Sequence, residues 1–300
     1  MKYIITLLSI LFTINFSYSQ TQTGNTIYGE AASDLFGTSV SISSDGSFMA
    51  ISSQYNDSNG NSSGHVRVFS WTGSDWVQIG NDIDGEAIED YSGRSISLSS
   101  DGTRIVIGAM YNDDNGNNSG HVRVYDWNGS GWFKVGVDLE GDSSNHLFGY
   151  AVSLSSDGKT LAAYAAGGGY AKIFSWDGTN WNQIGLNITR SSHLSTLSGG
   201  PSISLSHDGF TIAVGDISGE HSDGDLNGDV AVYKWNGSSW QQLGSAILGE
   251  HDNSYFGHSV SLSADALKLA VGGPYNNALG TETGHVRVFS WTGSDWVQIG

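Results

Sequence analysis

The seventeen residues "GHVRVFSWTGSDWVQIG" occur twice in this chain, at Gly64–Gly80 and again at Gly284–Gly300. Each copy contains two tryptophans that bracket a short polar segment, and this arrangement recurs along the whole chain. All ten tryptophans fall into five such pairs, which are Trp71/Trp76, Trp127/Trp132, Trp176/Trp181, Trp235/Trp240 and Trp291/Trp296. The first members of successive pairs are 56, 49, 59 and 56 residues apart. A fixed period of this size indicates a protein built from repeats.

Each repeat predicts four short strands. It opens on a segment in which serine alternates with apolar residues, as at Val40 and Ile42, and a period of two is typical of a strand. Asp-Gly follows in four of the five copies and predicts a tight hairpin turn, since glycine tolerates positive φ. An apolar run such as "RIVIGA", a polar loop such as "YNDSNGNSSG" and a run such as "HVRVFSW" come next. The segment after the second tryptophan, "WVQIGNDIDGE", is the fourth predicted strand.

The predicted fold class is all-β, a β-propeller of four-stranded antiparallel blades in which five repeats of about 56 residues are visible. One such sheet cannot bury both of its faces, so the blades are expected to pack against each other around an axis. A β-helix is the rival architecture, but its coils are much shorter. Residues 1–19 are predicted to be a signal peptide, and the propeller is predicted over residues 20–300. Its blades are predicted at 31–86, 87–141, 142–190, 191–250 and 251–300.

The two ends of the chain raise the question of ring closure. The segment "GNTIYGE" at Gly24–Glu30 aligns with "GNDIDGE" at Gly80–Glu86, the phrase that follows the first copy of the repeated seventeen residues. Residues 24–30 are therefore a candidate closing strand for the fifth blade. The alternative is that the five blades belong to a longer array, and the sequence leaves the number of blades open.

Composition restricts the class of protein. The chain has a formal net charge of −18, and so acidic a surface disfavours nucleic acid as a partner because phosphates would be repelled. It has no cysteine, so disulfides cannot stabilise the fold. The first residues, "MKYIITLLSILFTINFSYSQ", are typical of a secretory signal peptide cleaved after Ser19. We therefore expect a secreted or cell-surface protein, without membrane insertion after cleavage and monomeric.

The chain resembles the FG-GAP repeat family. The resemblance rests on "FG" at Phe36-Gly37, Phe148-Gly149 and Phe256-Gly257, followed downstream by segments such as "IGAMYND" and "VGGPYNN". The repeat unit of this chain is similar to that of the integrin α propeller and to tandem repeats in exported proteins of Gram-negative bacteria. The resemblance implies an extracellular adhesion or binding scaffold. The family's calcium loop between the first two strands is shortened here to "SSDG", which offers too few oxygen ligands.

Two groups of residues are candidate sites. The position after the motif glycine varies between repeats and should lie around one mouth of the central channel; its candidate ligand-binding residues are Thr38, Arg94, Tyr150 and His258. The segment "HSDGDLNGD" offers alternating oxygen ligands for calcium, at Asp223, Asp225, Asn227 and Asp229. A solvated turn explains the same pattern, so no cofactor is required and calcium is a candidate. His65, His121 and His285 share one repeat position and are interpreted as surface residues.

No nucleophile–base pair or phosphate-binding loop stands out in the sequence. The predicted function is a non-catalytic scaffold that binds an extracellular protein or carbohydrate, and the chain is predicted not to be an enzyme. Two alternatives remain. One is a glycan-active enzyme with its site at the channel mouth, and the other is a structural spacer in a longer surface protein.

Overall fold

The computed structural model describes residues 22–190, 200, 202–217, 227–250 and 254–300. This part of the chain is all-β, without a helix, and forms five antiparallel sheets in chain order. The predicted propeller of repeated four-stranded blades is confirmed. The predicted signal peptide at 1–19 lies outside the described residues.

Each sheet has the same strand order. The first strands are β1 (Val40–Ile42), β6 (Ser95–Leu98), β11 (Phe148–Leu154), β16 (Ile203–Leu205) and β21 (Ser259–Leu262). The second strands are β2 (Phe48–Ser53), β7 (Arg104–Ala109), β12 (Thr160–Ala165), β17 (Thr211–Asp216) and β22 (Lys268–Gly273). The third strands are β3 (His65–Trp71), β8 (His121–Trp127), β13 (Tyr170–Trp176), β18 (Asp229–Trp235) and β23 (His285–Trp291).

The predicted fourth strand is broken into two pieces. The outer pieces are β4 (Trp76–Gln78), β9 (Trp132–Lys134), β14 (Trp181–Gln183), β19 (Trp240–Gln242) and β24 (Trp296–Gln298). The second pieces are β5 (Ile83–Asp84), β10 (Leu139–Glu140), β15 (Ile188–Thr189) and β20 (Ile247–Leu248). Both pieces pair with the third strand, β4 at its end and β5 at its start. Gly80 lies between them with φ of +72°, a left-handed conformation that interrupts the strand.

The predicted Asp-Gly hairpin is present between the first two strands. In the first blade Gly46 adopts a φ of +73° and its N–H donates to the carbonyl of Ser43. Asp45 accepts hydrogen bonds from the hydroxyl and backbone N–H of Ser47 and from the Ser43 hydroxyl. These bonds lower the pKa of Asp45 to about 2, so the turn is held by a carboxylate.

The serines of the first strands join neighbouring blades. A first strand is the edge of its sheet, so every second backbone N–H points away from its own blade. The Ser41 hydroxyl accepts a hydrogen bond from the Leu98 N–H of the next blade, at 2.9 Å, and the Ser97 hydroxyl accepts one from Leu154, at 3.1 Å. The alternating serine hydroxyls therefore accept hydrogen bonds from backbone N–H groups of the next blade's first strand, which have no partner in their own sheet.

Apolar cores fill the spaces between consecutive blades. One of them joins Val66 and Val68 of the first blade to Ile96 and Ile105 of the second. The first strands contact each other in chain order from β1 to β21. At the first blade the face that would meet a preceding blade is open, since Val40 is 64% exposed whereas its counterpart Ile96 is 6% exposed. Closure of the ring by residues 24–30 stays a prediction.

The tryptophan pairs are packing elements between blades. In each pair the ring centroids lie 5.3 to 5.5 Å apart. In the second to fifth blades the indole N–H of the second tryptophan donates to a carbonyl of the preceding blade, as Trp240 does to Ile184 at 2.9 Å. The rings also cover the glycine that breaks the preceding fourth strand, as Trp127 and Trp132 cover Gly80. The repeated pairs therefore explain how each blade is attached to the one before it.

Candidate functional site

The channel-mouth position lies at the start of the first strand, just before the strand at Thr38, Arg94 and His258 and within it at Tyr150. A backbone turn places it there, since the N–H of Arg94 donates to the Tyr91 carbonyl and the N–H of His258 donates to the Tyr255 carbonyl. Tyr91 and Tyr255 both adopt positive φ. The same turn is repeated at Tyr150, whose N–H donates to Leu147. Corresponding side chains of different blades are thereby presented at one end of the innermost strands.

Arg94 and Tyr150, from adjacent blades, are in direct contact. The guanidinium carbon of Arg94 lies 4.4 Å from the centroid of the Tyr150 ring. Its Nη2 donates a hydrogen bond of 2.9 Å to the Tyr150 hydroxyl. Both side chains are partly buried, so this cation–π contact holds the guanidinium in a defined place at the mouth.

His258 lies within the electrostatic reach of this pair. Burial lowers the pKa of His258, and the positive charge of Arg94 lowers it further. Its imidazole is consequently neutral at pH 7, with one nitrogen able to accept a proton. Thr38 is different, because its hydroxyl donates to the Leu35 carbonyl within its own turn, at 2.7 Å. The structure therefore places Arg94 and Tyr150 in contact, with His258 near enough for the Arg94 charge to lower its pKa, and the binding site at the mouth stays a prediction.

A row of tyrosines adjoins the mouth and was missed by sequence reasoning. The rings of Tyr55 and Tyr91 lie 5.1 Å apart, and Tyr91 and Tyr111 are separated by the same distance. Tyr255 and Tyr275 form a similar contact in the fifth blade. The signal was present, since tyrosine precedes the Asn/Asp-rich loop in three repeats, as "QYND", "MYND" and "PYNN". Aromatic faces beside polar groups are suited to the apolar faces of sugar rings.

The calcium candidate is only partly visible. Asp223 and Asp225 lie outside the described residues. Asp229 contacts the guanidinium of Arg190, so its carboxylate has a cationic partner, and Asn227 is buried beneath the fifth blade's turn, where its carbonyl accepts from Phe256. Calcium at this segment stays a prediction.

The interpretation of the strand-start histidines as surface residues was wrong for two of them. His65 is 0% exposed and His121 is 2% exposed, because the second piece of the fourth strand pairs across them. Burial lowers the pKa of His121. Glu140 lies opposite His121, and burial together with the charges of Asp114 and Asp138 raises the pKa of Glu140 to about 7. A concentration of carboxylates thus surrounds a buried imidazole.

Comparison with known proteins identifies the repeat. The sequence model of the FG-GAP repeat matches residues 28–69 and residues 83–125. These two segments are FG-GAP repeats. Each match starts before the first strand of its blade and ends within the third strand, β3 or β8. No curated protein matches the chain significantly.

Several solved propellers share the fold of this chain. Hydrazine synthase of Kuenenia stuttgartiensis aligns over 92% of this chain and 69% of its own, with a TM-score of 0.57 and 15% identity. The periplasmic gluconolactonase of Pseudomonas aeruginosa aligns over 88% and 71%, with a TM-score of 0.55 and 15% identity. A candidate 6-phosphogluconolactonase from Bacteroides uniformis aligns over 87% and 83%, with a TM-score of 0.52 and 12% identity.

These neighbours correct two predictions. Because propellers of this shape include proteins named as lactonases, the prediction of a non-catalytic scaffold was wrong, as was the prediction that the chain is not an enzyme. At 12% and 15% identity the likeness establishes the fold, so the chemistry must come from this chain's own residues. In the described ranges, no helix has the length and apolar character that crossing a membrane requires.

Proposed function

We propose that this FG-GAP propeller hydrolyses a sugar lactone at the channel mouth, with Arg94, Tyr150 and His258 as the site. The observation that carries the proposal is the state of Arg94. Each of the other five arginines forms an ion pair with a carboxylate; the pairs are Arg67–Glu30, Arg104–Asp126, Arg123–Asp138, Arg190–Asp229 and Arg287–Glu250. Among the described residues, none forms such a pair with Arg94.

A guanidinium without a carboxylate partner and a neutral imidazole at the same channel mouth are together suited to ester hydrolysis. A lactone carbonyl oxygen would accept a hydrogen bond from Arg94, which stabilises the negative charge that develops on this oxygen in the transition state. His258 would take a proton from a water molecule as the water oxygen attacks the carbonyl carbon. The ring C–O bond then breaks, and the leaving ring oxygen receives the proton from His258. The product is a hydroxy acid whose carboxylate matches the charge of Arg94.

Tyr150 and the tyrosine row supply orientation. The Tyr150 ring fixes the guanidinium, and the hydroxyl that accepts from Arg94 can donate its own proton to a substrate oxygen. Tyr91 connects the site to the row, because its carbonyl accepts from the Arg94 backbone and its ring contacts Tyr55 and Tyr111. This neighbourhood supports a sugar-derived substrate over a simple aliphatic lactone.

Replacing Arg94 with alanine is expected to lower kcat/KM for glucono-1,5-lactone by about 100-fold, the usual cost of removing one oxyanion donor. The measurement is acid release at pH 7 above the spontaneous rate. Lys159→Ala is the matched control, since it removes an exposed cation in the turn between β11 and β12 and should leave the rate unchanged. The pH profile adds a second readout. Because the base must be neutral and its pKa is lowered, activity should persist below pH 6.5 and fall only at more acidic pH. A wild-type rate equal to the spontaneous rate would refute the proposal.

We further propose that the protein is exported. The N-terminal sequence has a lysine, an apolar run and small residues before Gln20, and one propeller of the same fold is named as periplasmic. Expression of the full chain in a Gram-negative host should yield a protein in the periplasmic or extracellular fraction that starts at Gln20. Accumulation of the uncleaved chain in the cytosol would contradict export.

A further inference from the structure

A buried imidazole and three carboxylates meet where the first two blades join. His121 is the first residue of β8, and its Nδ1 has no hydrogen-bond partner although the residue is 2% exposed. One carboxylate oxygen each from Glu86, Asp114 and Asp138 lies within 4.8 Å of an imidazole nitrogen and of the others, and the Asp114 oxygen lies 4.0 Å from Nδ1. Glu86 follows β5 of the first blade, Asp114 lies in the loop after β7, and Asp138 precedes β10. Three separate segments therefore direct ligand atoms to one point.

The same arrangement occurs one repeat earlier. His65 is 0% exposed with an unpartnered Nδ1, and this atom lies 3.7 Å from an Asp82 oxygen and 4.0 Å from a Glu30 oxygen. Asp82 and Glu30 correspond in the repeat to Asp138 and Glu86. The position of Asp114 is occupied by Ser58, so the first cluster has one carboxylate fewer.

The distances suit an ion between the atoms better than direct bonds. Separations of 3.7 and 4.0 Å are too long for hydrogen bonds from an imidazole to a carboxylate. Two ligands of a tetrahedral Zn²⁺ ion, each bound at about 2.0 Å, are separated by roughly 3.3 Å. A small inward movement of exposed carboxylates such as Asp114 would close the difference, because its side chain is 59% exposed.

The local charge also leaves room for a cation. Arg123 contacts Glu86 and Asp138, and Lys134 contacts Asp138, but neither is paired with Asp114. A carboxylate has two oxygens, so a metal-bound Glu86 or Asp138 can still accept from Arg123, as second-shell donors commonly do. The third blade differs in the histidine. There Tyr170 replaces it, while Lys172 contacts Asp142 at 2.5 Å, as the equivalent Arg123 contacts Glu86.

We propose that His121, Glu86, Asp114 and Asp138 bind a divalent transition-metal ion of the Zn²⁺ type, and that His65, Glu30 and Asp82 form a weaker copy of this site. Imidazole nitrogen with carboxylate oxygens is a ligand set that Zn²⁺ accepts, whereas Mg²⁺ and Ca²⁺ prefer oxygen alone. Each ion would connect the segment that precedes a blade, at Glu30 or Glu86, to the start of the third strand of that blade. The two clusters use none of the side chains placed at the channel mouth, and their binding of an ion does not depend on the proposed hydrolysis.

The test is Zn²⁺ binding to the full, untagged chain by isothermal titration calorimetry, with Co²⁺ absorption as a report on tetrahedral geometry. We expect about two ions per chain with unequal affinities. Asp114→Ser copies the first cluster and should weaken the tighter site by about tenfold or more. His121→Tyr copies the third blade and should remove that site, and His65→Tyr should remove only the weaker one.

The controls separate these sites from adventitious binding. Asp113→Ser alters the neighbouring carboxylate, which is absent from the cluster, and should leave both affinities unchanged. Far-UV circular dichroism checks that each variant is folded, and Asp114→Ser keeps the test decisive if a tyrosine variant does not fold, because Asp114 is exposed. The proposal is overturned if Zn²⁺ fails to bind at millimolar concentration, if Ca²⁺ binds more tightly than Zn²⁺, or if Asp114→Ser binds Zn²⁺ as the wild type does.

Discussion

Replacing Gly108 with alanine is expected to destabilise the protein by about 3 kcal/mol. Gly108 lies in β7, buried against the next blade, and a methyl group there would lie 2.0 Å from the carbonyl oxygen of Gly149 and 3.1 Å from its Cα. Both atoms belong to backbone, which cannot rotate away as a side chain would. The two blades must therefore separate locally, and the core between them loses contact.

Urea-induced unfolding, followed by tryptophan fluorescence, measures this change in free energy. Gly131→Ala is the matched control, because an added Cβ would meet only the Phe133 ring at 3.4 Å and the backbone does not require positive φ. We expect that control to be neutral or slightly stabilising. If Gly108→Ala unfolds at the same urea concentration as the wild type, the close approach of the two blades is wrong.

This contact gives the family motif a physical meaning. Gly149 is the glycine of "FG" in the third blade, and Gly108 belongs to "IGA" in the second, so the two halves of the motif meet across a blade boundary. Gly215 and Gly257 make the same contact between the fourth and fifth blades. The glycines are conspicuous in the sequence, but their partners are about 40 residues away, which is why sequence alone could not pair them.

The repeat made most of the fold predictable from sequence. The alternation of serine with apolar residues located the first strands, and the Asp-Gly turns and tryptophan pairs located the hairpins. The hydrogen bond from Leu98 to Ser41 was not predictable, because it depends on the stagger between blades. The broken fourth strand was also missed, since Gly80 was interpreted as part of a continuous strand.

The candidate sites were predictable to different degrees. The mouth residues follow from the repeat, because one repeat position must lie on a ring around the axis, and the contact between Arg94 and Tyr150 agrees with this expectation. The carboxylates around His121 could not be found in this way. They come from three segments of two blades, and their meeting depends on the second piece of the fourth strand pairing with the start of the third strand.

Replacing Trp181 with alanine is expected to destabilise the protein by about 4 kcal/mol, the larger of the two effects on stability. Trp181 is 7% exposed and belongs to the core between the second and third blades. Its ring lies 5.3 Å from Trp176 and covers Gly136 of the preceding blade, and its indole N–H donates to the Val135 carbonyl at 3.3 Å. Alanine would remove the ring, the hydrogen bond and the cover of the blade junction together.

Two further variants separate these contributions in the same urea experiment. Trp181→Phe keeps an aromatic ring and loses the indole N–H, so a smaller loss of about 1.5 kcal/mol is expected. Phe133→Ala removes a ring that is 54% exposed on the neighbouring blade and should change stability by no more than about 0.5 kcal/mol.

The alternative role for the tryptophan pairs is stacking on sugars at the surface. That role requires Trp181→Ala to retain wild-type stability while sugar binding is lost, because an exposed stacking platform contributes little to the core. Burial of the ring and its bond to another blade favour the structural role, and a loss of several kcal/mol without a matching loss in Phe133→Ala would establish it.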